Sequence, residues 1–282
     1  MEKIGLLIDT TSYTRDDLLN RSIIKAAPLG VSIDGVLYKE PDLSFETMMK
    51  YLSEGRKMMT SQPSPGEFLH LYEAYYKEGY THIFVVALSE KVSGTYQSAV
   101  LAKSLVDFPI TISVHAPKVA SFGVALGLPI LADAIEKGIS FDALEALYTK
   151  TYANAHVMFT LSNLMHLFRG GRLSRVAALL GTVLRIKPVI EMIDGKLELT
   201  RKERTNNQCF DYFMETIKKY HEKYQTIRLD IIQLQRPEWA EKIKEAVEEM
   251  YPNISIHMTN YISPVFSVHL GDQGFGIAIL GE

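Results

Sequence analysis

The stretch Ser93-Gly94-Thr95 sets two hydroxyls around a glycine, between an apolar run, HIFVVALS (82–89), and a helix-like run, GTYQSAVLAKSLV (94–106). Three chemistries suit it. As a nucleophile, Ser93 needs a base and a sharp strand-to-helix elbow; the chain has no G-x-S-x-G, and its eight histidines are scattered. As a helix N-cap, Ser93 only satisfies a free backbone N–H. As part of an anion cradle, it adds a hydroxyl to the free N–H groups and partial positive charge of a helix start, with Gly94 letting the anion come close. A second segment, TSQPSPGEF (60–68), places Thr60 and Ser61 ahead of a proline-stiffened loop and a capped helix. Taken alone it is a turn plus a capping box. IDTTS (8–12) is a third polar strand exit, and ligands of α/β sheets sit outside the carboxyl ends of the strands. Arg169, Arg172, Arg175, Arg185 and Lys187 form a basic cluster. It reads as a solvated face, or as a surface for an acidic partner or a phosphate.

The elements that must position these groups follow from periodicity and turn chemistry. KIGLLID (3–9) reads as a buried strand, and Asp34-Gly35 marks a hairpin within 25–40. Residues 44–55 read as a helix ended by Gly55. Residues 64–79 read as another, with Ser64 as N-cap, Pro65 at the first turn, Glu67 as capping-box partner and Gly79 as the stop. Strands at 82–88 and 110–115 alternate with helices at 94–106 and 121–137, which predicts a mostly parallel sheet covered by helices. A helix over 140–153 carries the chain onward. Beyond it the pattern predicts a strand at 156–161, a short helix at 162–168, a turn at 169–174 and a helix from Arg175 capped by Ser174. A hairpin around Asp194-Gly195 and helices at 206–223 and 237–250 come next, with strands at 227–234, 254–258, 264–270 and 275–280. The fold class is therefore α/β. Residues 1–153 form an N-terminal domain on a mostly parallel sheet with the hairpin inserted near 25–40, and residues 154–282 form an α+β domain with a mixed sheet.

At 282 residues the chain buries a large core, and a net charge of −3 gives no general attraction to nucleic acid or anionic membrane. No RNA-binding signature is present. The apolar run FGVALGLPILA (122–132) is too short to span a bilayer, and the N-terminus lacks a signal-peptide core. A single cysteine, Cys209, excludes an intrachain disulfide and has no metal-ligand spacing around it, so a reducing, cytoplasmic setting is expected.

TSQPSPGEF, LSEKVSGTYQSA, LFRGGRLS, and IKPVI followed by DGKL occur in one order along the chain. In these motifs the whole sequence resembles the DegV family of bacterial fatty-acid-binding proteins. The resemblance implies two domains holding one long-chain fatty acid between them. It implies no cofactor, no metal and no catalysis by this chain, whose acid is presented to a separate fatty-acid kinase with a dihydroxyacetone-kinase-like domain. That kinase makes an acyl phosphate for phospholipid synthesis, and lipid exchange implies peripheral contact with the membrane. By motif, Ser93 and Gly94 match the carboxylate-binding Ser-Gly, Thr60 and Ser61 the Thr-Ser, and His269 the C-terminal histidine of the headgroup network. Arg169 and Arg172 match the Arg-Gly-Gly-Arg turn and Arg204 a later basic position, all implied in docking the kinase and expected to be exposed. The candidate tunnel lining is FVVAL, FGVALGLPILA and VAALLGTVL.

The sequence departs from the family at His115-Ala116, where Asp-Ser or Asp-Thr is usual, and at Gly271-Asp272-Gln273, where Gly-Pro-Gly is usual. Whether His115 lies on the surface stays open at this point. So do two other functions: an acyl hydrolase or acyltransferase using Ser93, and a lipid-sensing regulatory module.

Overall fold

The computed structural model describes residues 2–12, 16–173 and 186–282. The expected Ser174 cap, the helix after it with its apolar run, and Arg175 and Arg185 lie outside the described residues. In chain order the strands are β1 (Ile4–Asp9), β2 (Ile24–Ala27), β3 (Gly30–Ile33), β4 (Val36–Lys39), β5 (Met58–Ser61), β6 (His82–Val86), β7 (Thr111–His115), β8 (Ala155–Leu161), β9 (Lys187–Ile193), β10 (Lys196–Glu203), β11 (Ile227–Leu234), β12 (Ser255–Thr259) and β13 (Gly274–Gly281).

Strands β2-β1-β6-β7 make a parallel sheet. β1 is buried at every position, as a central parallel strand with both faces covered must be, and its sequence stays apolar until Asp9. Helices Pro65–Lys77 and Thr95–Ser104 cover one face through Phe68, Tyr72, Ala99 and Ala102. The capping box reads as expected: Ser64 Oγ accepts from Glu67 N at 3.2 Å and the Glu67 carboxylate accepts from Ser64 N at 2.7 Å. A second sheet, β10-β9-β8-β13-β11-β12, is antiparallel except for the β11–β12 pair. Helices Asn206–Lys223 and Pro237–Met250 pack Phe213, Ile217, Ile243 and Val247 against one of its faces. Both Asp-Gly hairpins form. Asp34 and Gly35 have φ of 51° and 90°, and Asp194 and Gly195 have 47° and 78°, the doubly left-handed backbone of a tight two-residue turn.

Four local expectations change. Residues 264–270 are not a strand but a helix, Pro264–Leu270, with Ser263 as its N-cap. Its V-F-S-V-H-L text alternates in polarity, yet Ser-Pro is a helix-start pair, and the residues it buries, Val265, Val268 and Leu270, suit a helical face. Thr60 and Ser61, read as part of a turn, instead end strand β5, which pairs antiparallel with β3 in a small third sheet, β4-β3-β5. The segment 25–40 divides: β2 joins the parallel sheet, and only β3 and β4 form the hairpin. The helix expected over 121–137 is broken into Phe122–Ala125 and Leu128–Glu136.

One apolar cluster is continuous across both halves of the chain. Leu6, Phe84 and Phe122 from the first half meet Leu161, Ile190 and Ala278 from the second. Two polar contacts seal the same seam near Ser93: Ser89 Oγ donates to Gly195 O at 3.0 Å, and Arg172 Nε donates to Val92 O at 3.1 Å. The β9–β10 turn and the 170–172 turn therefore fix the loop that carries Ser93.

Candidate functional site

A narrow cavity of about 120 Å³ lies along that seam. Its walls are mostly apolar, with Leu88, Ala120, Phe122, Leu161, Leu167 and Met192 among them, and no aspartate or glutamate lines it. Polar side chains gather at a mouth formed by both halves. β5 turns Thr60 inward, where its Oγ1 lies 2.8 Å from His269 Nε2. Ser61, the next residue along the strand, is exposed at the rim. His269 comes from the helix Pro264–Leu270, and its ring packs on Gly170; a Cβ at that glycine would stand 2.4 Å from Nδ1. Arg172 donates back to Gly170 O at 2.5 Å and forward to Val92 O, which brings the guanidinium to the residue before Ser93. The Gln62 amide lies over Gly94, where a Cβ would meet it at 2.5 Å unless that side chain shifted. Thr60, Gln62, Ser93, Arg172 and His269 are thus the polar ring of this lining, with Gly94 beside Ser93 and under Gln62.

The chemistry of this ring favours an anion. Burial, with the nearby charge of Arg172 and then of His166, pushes the His269 imidazole down to about 4. It is therefore neutral near pH 7, with Nδ1 buried and unbonded. Arg172 is half-buried and has no carboxylate partner among the described residues. Ser93 Oγ lies 2.9 Å from Thr95 Oγ1 and accepts from Thr95 N at 3.3 Å. The cap position itself is Gly94, so Ser93 sits one residue before the cap and not at it. The hydroxyl's bonding partners belong to Thr95, and the ring of His269 bonds Thr60.

The structure brings Thr60, Ser61, Ser93, Gly94 and His269 to one mouth, and adds two residues. Gln62 follows directly on the Thr60-Ser61 pair and was open to notice there. Arg172, expected with Arg169 and Arg204 on the surface, instead lines the cavity. Arg169 and Arg204 are exposed. IDTTS does not reach the cavity. Asp9, pushed up to about 6 by burial, accepts from Leu88 N at 2.6 Å and from Thr11 N at 2.9 Å, and so ties the ends of β1 and β6 together. His115 is half-buried, stacked on Phe84 at 4.3 Å between ring centroids, and away from the cavity. In the other departure, Gln273 Oε1 accepts from Arg236 at 2.7 Å and Gln273 O from Ser162 N at 3.0 Å, a brace between β8 and β11.

The family model described as "Uncharacterised protein, DegV family" matches residues 3–282. The chain belongs to the DegV family. A DegV domain-containing protein of Listeria innocua is 30% identical over 281 residues, covering 98% of each chain. Two solved structures superpose over essentially the whole chain. DegV of Bacillus subtilis, described as a fatty acid binding protein, has a TM-score of 0.89 at 26% identity and covers 100% of both chains. A stearic acid-binding protein of Eubacterium ventriosum has a TM-score of 0.86 at 27% identity, covering 100% of this chain and 98% of that one. The α/β architecture, with an N-terminal parallel sheet and a C-terminal mixed sheet, is that of DegV structures. Among the described residues no helix is long and apolar enough to cross a membrane.

Proposed function

We propose that this chain binds a long-chain fatty acid, with the tail in the cavity and the carboxylate in the ring at its mouth, and presents it to a separate fatty-acid kinase in the cytoplasm. The observation that carries the reading is a mostly apolar cavity whose lining holds hydroxyls, a neutral imidazole and a guanidinium, with no acid. A carboxylate leaves water only when its lone pairs are filled, and Thr60, Ser93, the backbone at Gly94 and Arg172 are the donors within reach of the mouth. A tail contributes roughly 0.8 kcal/mol per buried CH₂, on the order of 10 kcal/mol for a long chain before binding costs. The fatty-acid binding of the Bacillus and Eubacterium relatives supports the same ligand class. Extraction of purified protein followed by mass spectrometry should yield a stoichiometric fatty acid. Ser93→Ala removes one donor from the carboxylate and should weaken binding by about 1–3 kcal/mol, measured by titration with delipidated protein. Unchanged affinity would remove Ser93 from the cradle. Turnover of an acyl ester by the isolated chain, lost in the same variant, would replace the carrier by an enzyme.

In this reading Arg169 and Arg204 face the kinase, which forms the acyl phosphate from ATP, and lipid exchange takes place at the membrane surface. The Arg204 side chain is exposed and has no ion pair among the described residues; only its backbone N is engaged, donating to Gln208 Oε1 at 2.9 Å. Charge at a rim speeds encounter more than it adds affinity. Arg204→Ala should therefore leave lipid occupancy intact and slow acyl-phosphate formation with kinase and ATP, and added salt should slow the wild-type reaction in the same way. Loss of lipid together with phosphorylation would assign Arg204 to the pocket.

A further inference from the structure

Apart from the residues of the mouth, two polar side chains among the described residues line the cavity, Thr160 and Ser121. Thr160 is engaged: its Oγ1 accepts from Cys209 Sγ at 3.8 Å. Ser121 is 7% exposed, and its Oγ is buried with no hydrogen-bond partner. Its chain neighbours Ala120 and Phe122 line the same cavity and offer it nothing polar. The backbone that carries this hydroxyl is strained as well. Ser121 has φ of 52° and ψ of −121°, and Gly123 N donates to Ala120 O at 3.1 Å across it. That is the geometry of the first central residue of a type II′ turn, a place that glycine fills without strain. The serine is held there from the other side, since its carbonyl accepts from Val124 N at 2.9 Å and from Ala125 N at 3.0 Å. It is therefore a fixed point on the wall. An orphan hydroxyl and a positive φ are two local costs, and glycine would remove both. No contact within the protein uses the hydroxyl in return.

We infer that Ser121 is a specificity residue of the tail cavity, which hydrogen-bonds a hydroxyl carried part-way along the acyl chain, so that the ligand class includes hydroxylated long-chain fatty acids. The inference rests on the fatty-acid-carrier reading and names the chain chemistry within it. A serine hydroxyl both donates and accepts, so a chain hydroxyl satisfies it in either sense. The pairing is mutual. A chain hydroxyl that enters an apolar cavity leaves its water partners behind, and is rejected unless a partner in the wall replaces them. Because Ser121 is a fixed point, it accepts the hydroxyl at one distance from the carboxylate and rejects it elsewhere. A plain alkyl chain leaves Ser121 unpaired, as it already stands, and so neither gains nor loses by it.

The test uses the delipidated full chain, titrated with stearate, oleate and a series of monohydroxystearates in which the hydroxyl steps along the tail. In the wild-type chain one isomer, or two adjacent ones, should bind as tightly as stearate, and the other isomers should bind about tenfold or more weaker. Ser121→Ala removes the hydroxyl at nearly constant size. It should weaken the favoured isomer by about tenfold while stearate and oleate change by less than about twofold. Ser121→Gly removes the same hydroxyl and suits the turn, so it should show the same selective loss even where the alanine variant folds poorly. An isomer profile that is unchanged in both variants would overturn the inference. Equal loss of stearate and hydroxystearate would overturn it too, by making Ser121 part of the carboxylate cradle. A loss confined to oleate would assign the hydroxyl to a double bond and likewise overturn it. Failure of the wild-type chain to bind any of these acids is a separate outcome, which defeats the carrier reading and the inference with it.

Discussion

Ala120→Phe is expected to cut the affinity for a long-chain fatty acid by about 200-fold, the equivalent of about four CH₂ groups turned out of the cavity at ~0.8 kcal/mol each. Ala120 is buried, lines the cavity, and lies in the segment before helix Phe122–Ala125, where its carbonyl accepts from Gly123 N at 3.1 Å. Its methyl leaves open space that a phenyl ring fills. The loss should depend on chain length. Acids too short to reach Ala120 keep their affinity, because the ring of donors at the mouth is untouched, and longer acids lose progressively more. Titration of a series of saturated acids against wild type and variant checks this. An equal loss at every chain length, including the shortest, would mean that the substitution disturbs the mouth or the fold, and the tail does not run past Ala120. Overpacking itself costs about 1–3 kcal/mol of stability, so the melting transition of the lipid-free variant is measured beside the titrations.

Phe213→Ala should destabilise the chain by about 3–5 kcal/mol, the usual cost of emptying a fully buried aromatic site. Phe213 has no exposure, and its ring meets that of Phe275 edge to face at 5.7 Å. The contact clamps helix Asn206–Lys223 to β13, and β13 also supplies Gly274, Phe275 and Gly276 to the cavity wall. Urea denaturation of lipid-free protein gives the number. Bound fatty acid should restore part of the stability by mass action, since the ligand binds only the folded chain. A cost under about 1 kcal/mol would show that Trp239, stacked on Phe275 at 5.1 Å, closes the hole, and that the helix does not depend on this ring.

Much of the architecture was legible because it rests on local chemistry. The Asp34-Gly35 and Asp194-Gly195 turns need two residues at positive φ, and Asp-Gly is among the few pairs that accept this. The Ser64–Glu67 capping box closes within one turn of helix. Helices Asn206–Lys223 and Pro237–Met250 fall on the residues expected, since long amphipathic repeats carry their own period. Short elements were less legible. β5 has only four residues, of mixed polarity, and its backbone groups find partners on β3, far back in sequence. The helix Pro264–Leu270 is held at its first turn by Glu40, a buried carboxylate that accepts from Val265 N at 3.0 Å across 225 positions of sequence. No local pattern reports such a bond.

The site divides in the same way. Which side chains could meet a carboxylate was written in the residue types: the hydroxyls of Thr60 and Ser93, the bare backbone of Gly94, the imidazole of His269. The sequence by itself determined these donors, the two Asp-Gly turns and the helical periods, because each depends on a residue's own chemistry or on neighbours within a turn or two. Only the tertiary structure decided that Arg172 turns into the cavity while Arg169 stays in solvent, that Asp9 ties strand ends and leaves the cavity to others, and that His269 is neutral at its mouth. Those outcomes depend on burial and on the charges nearby, and both come from segments distant in sequence that meet only when the two halves pack.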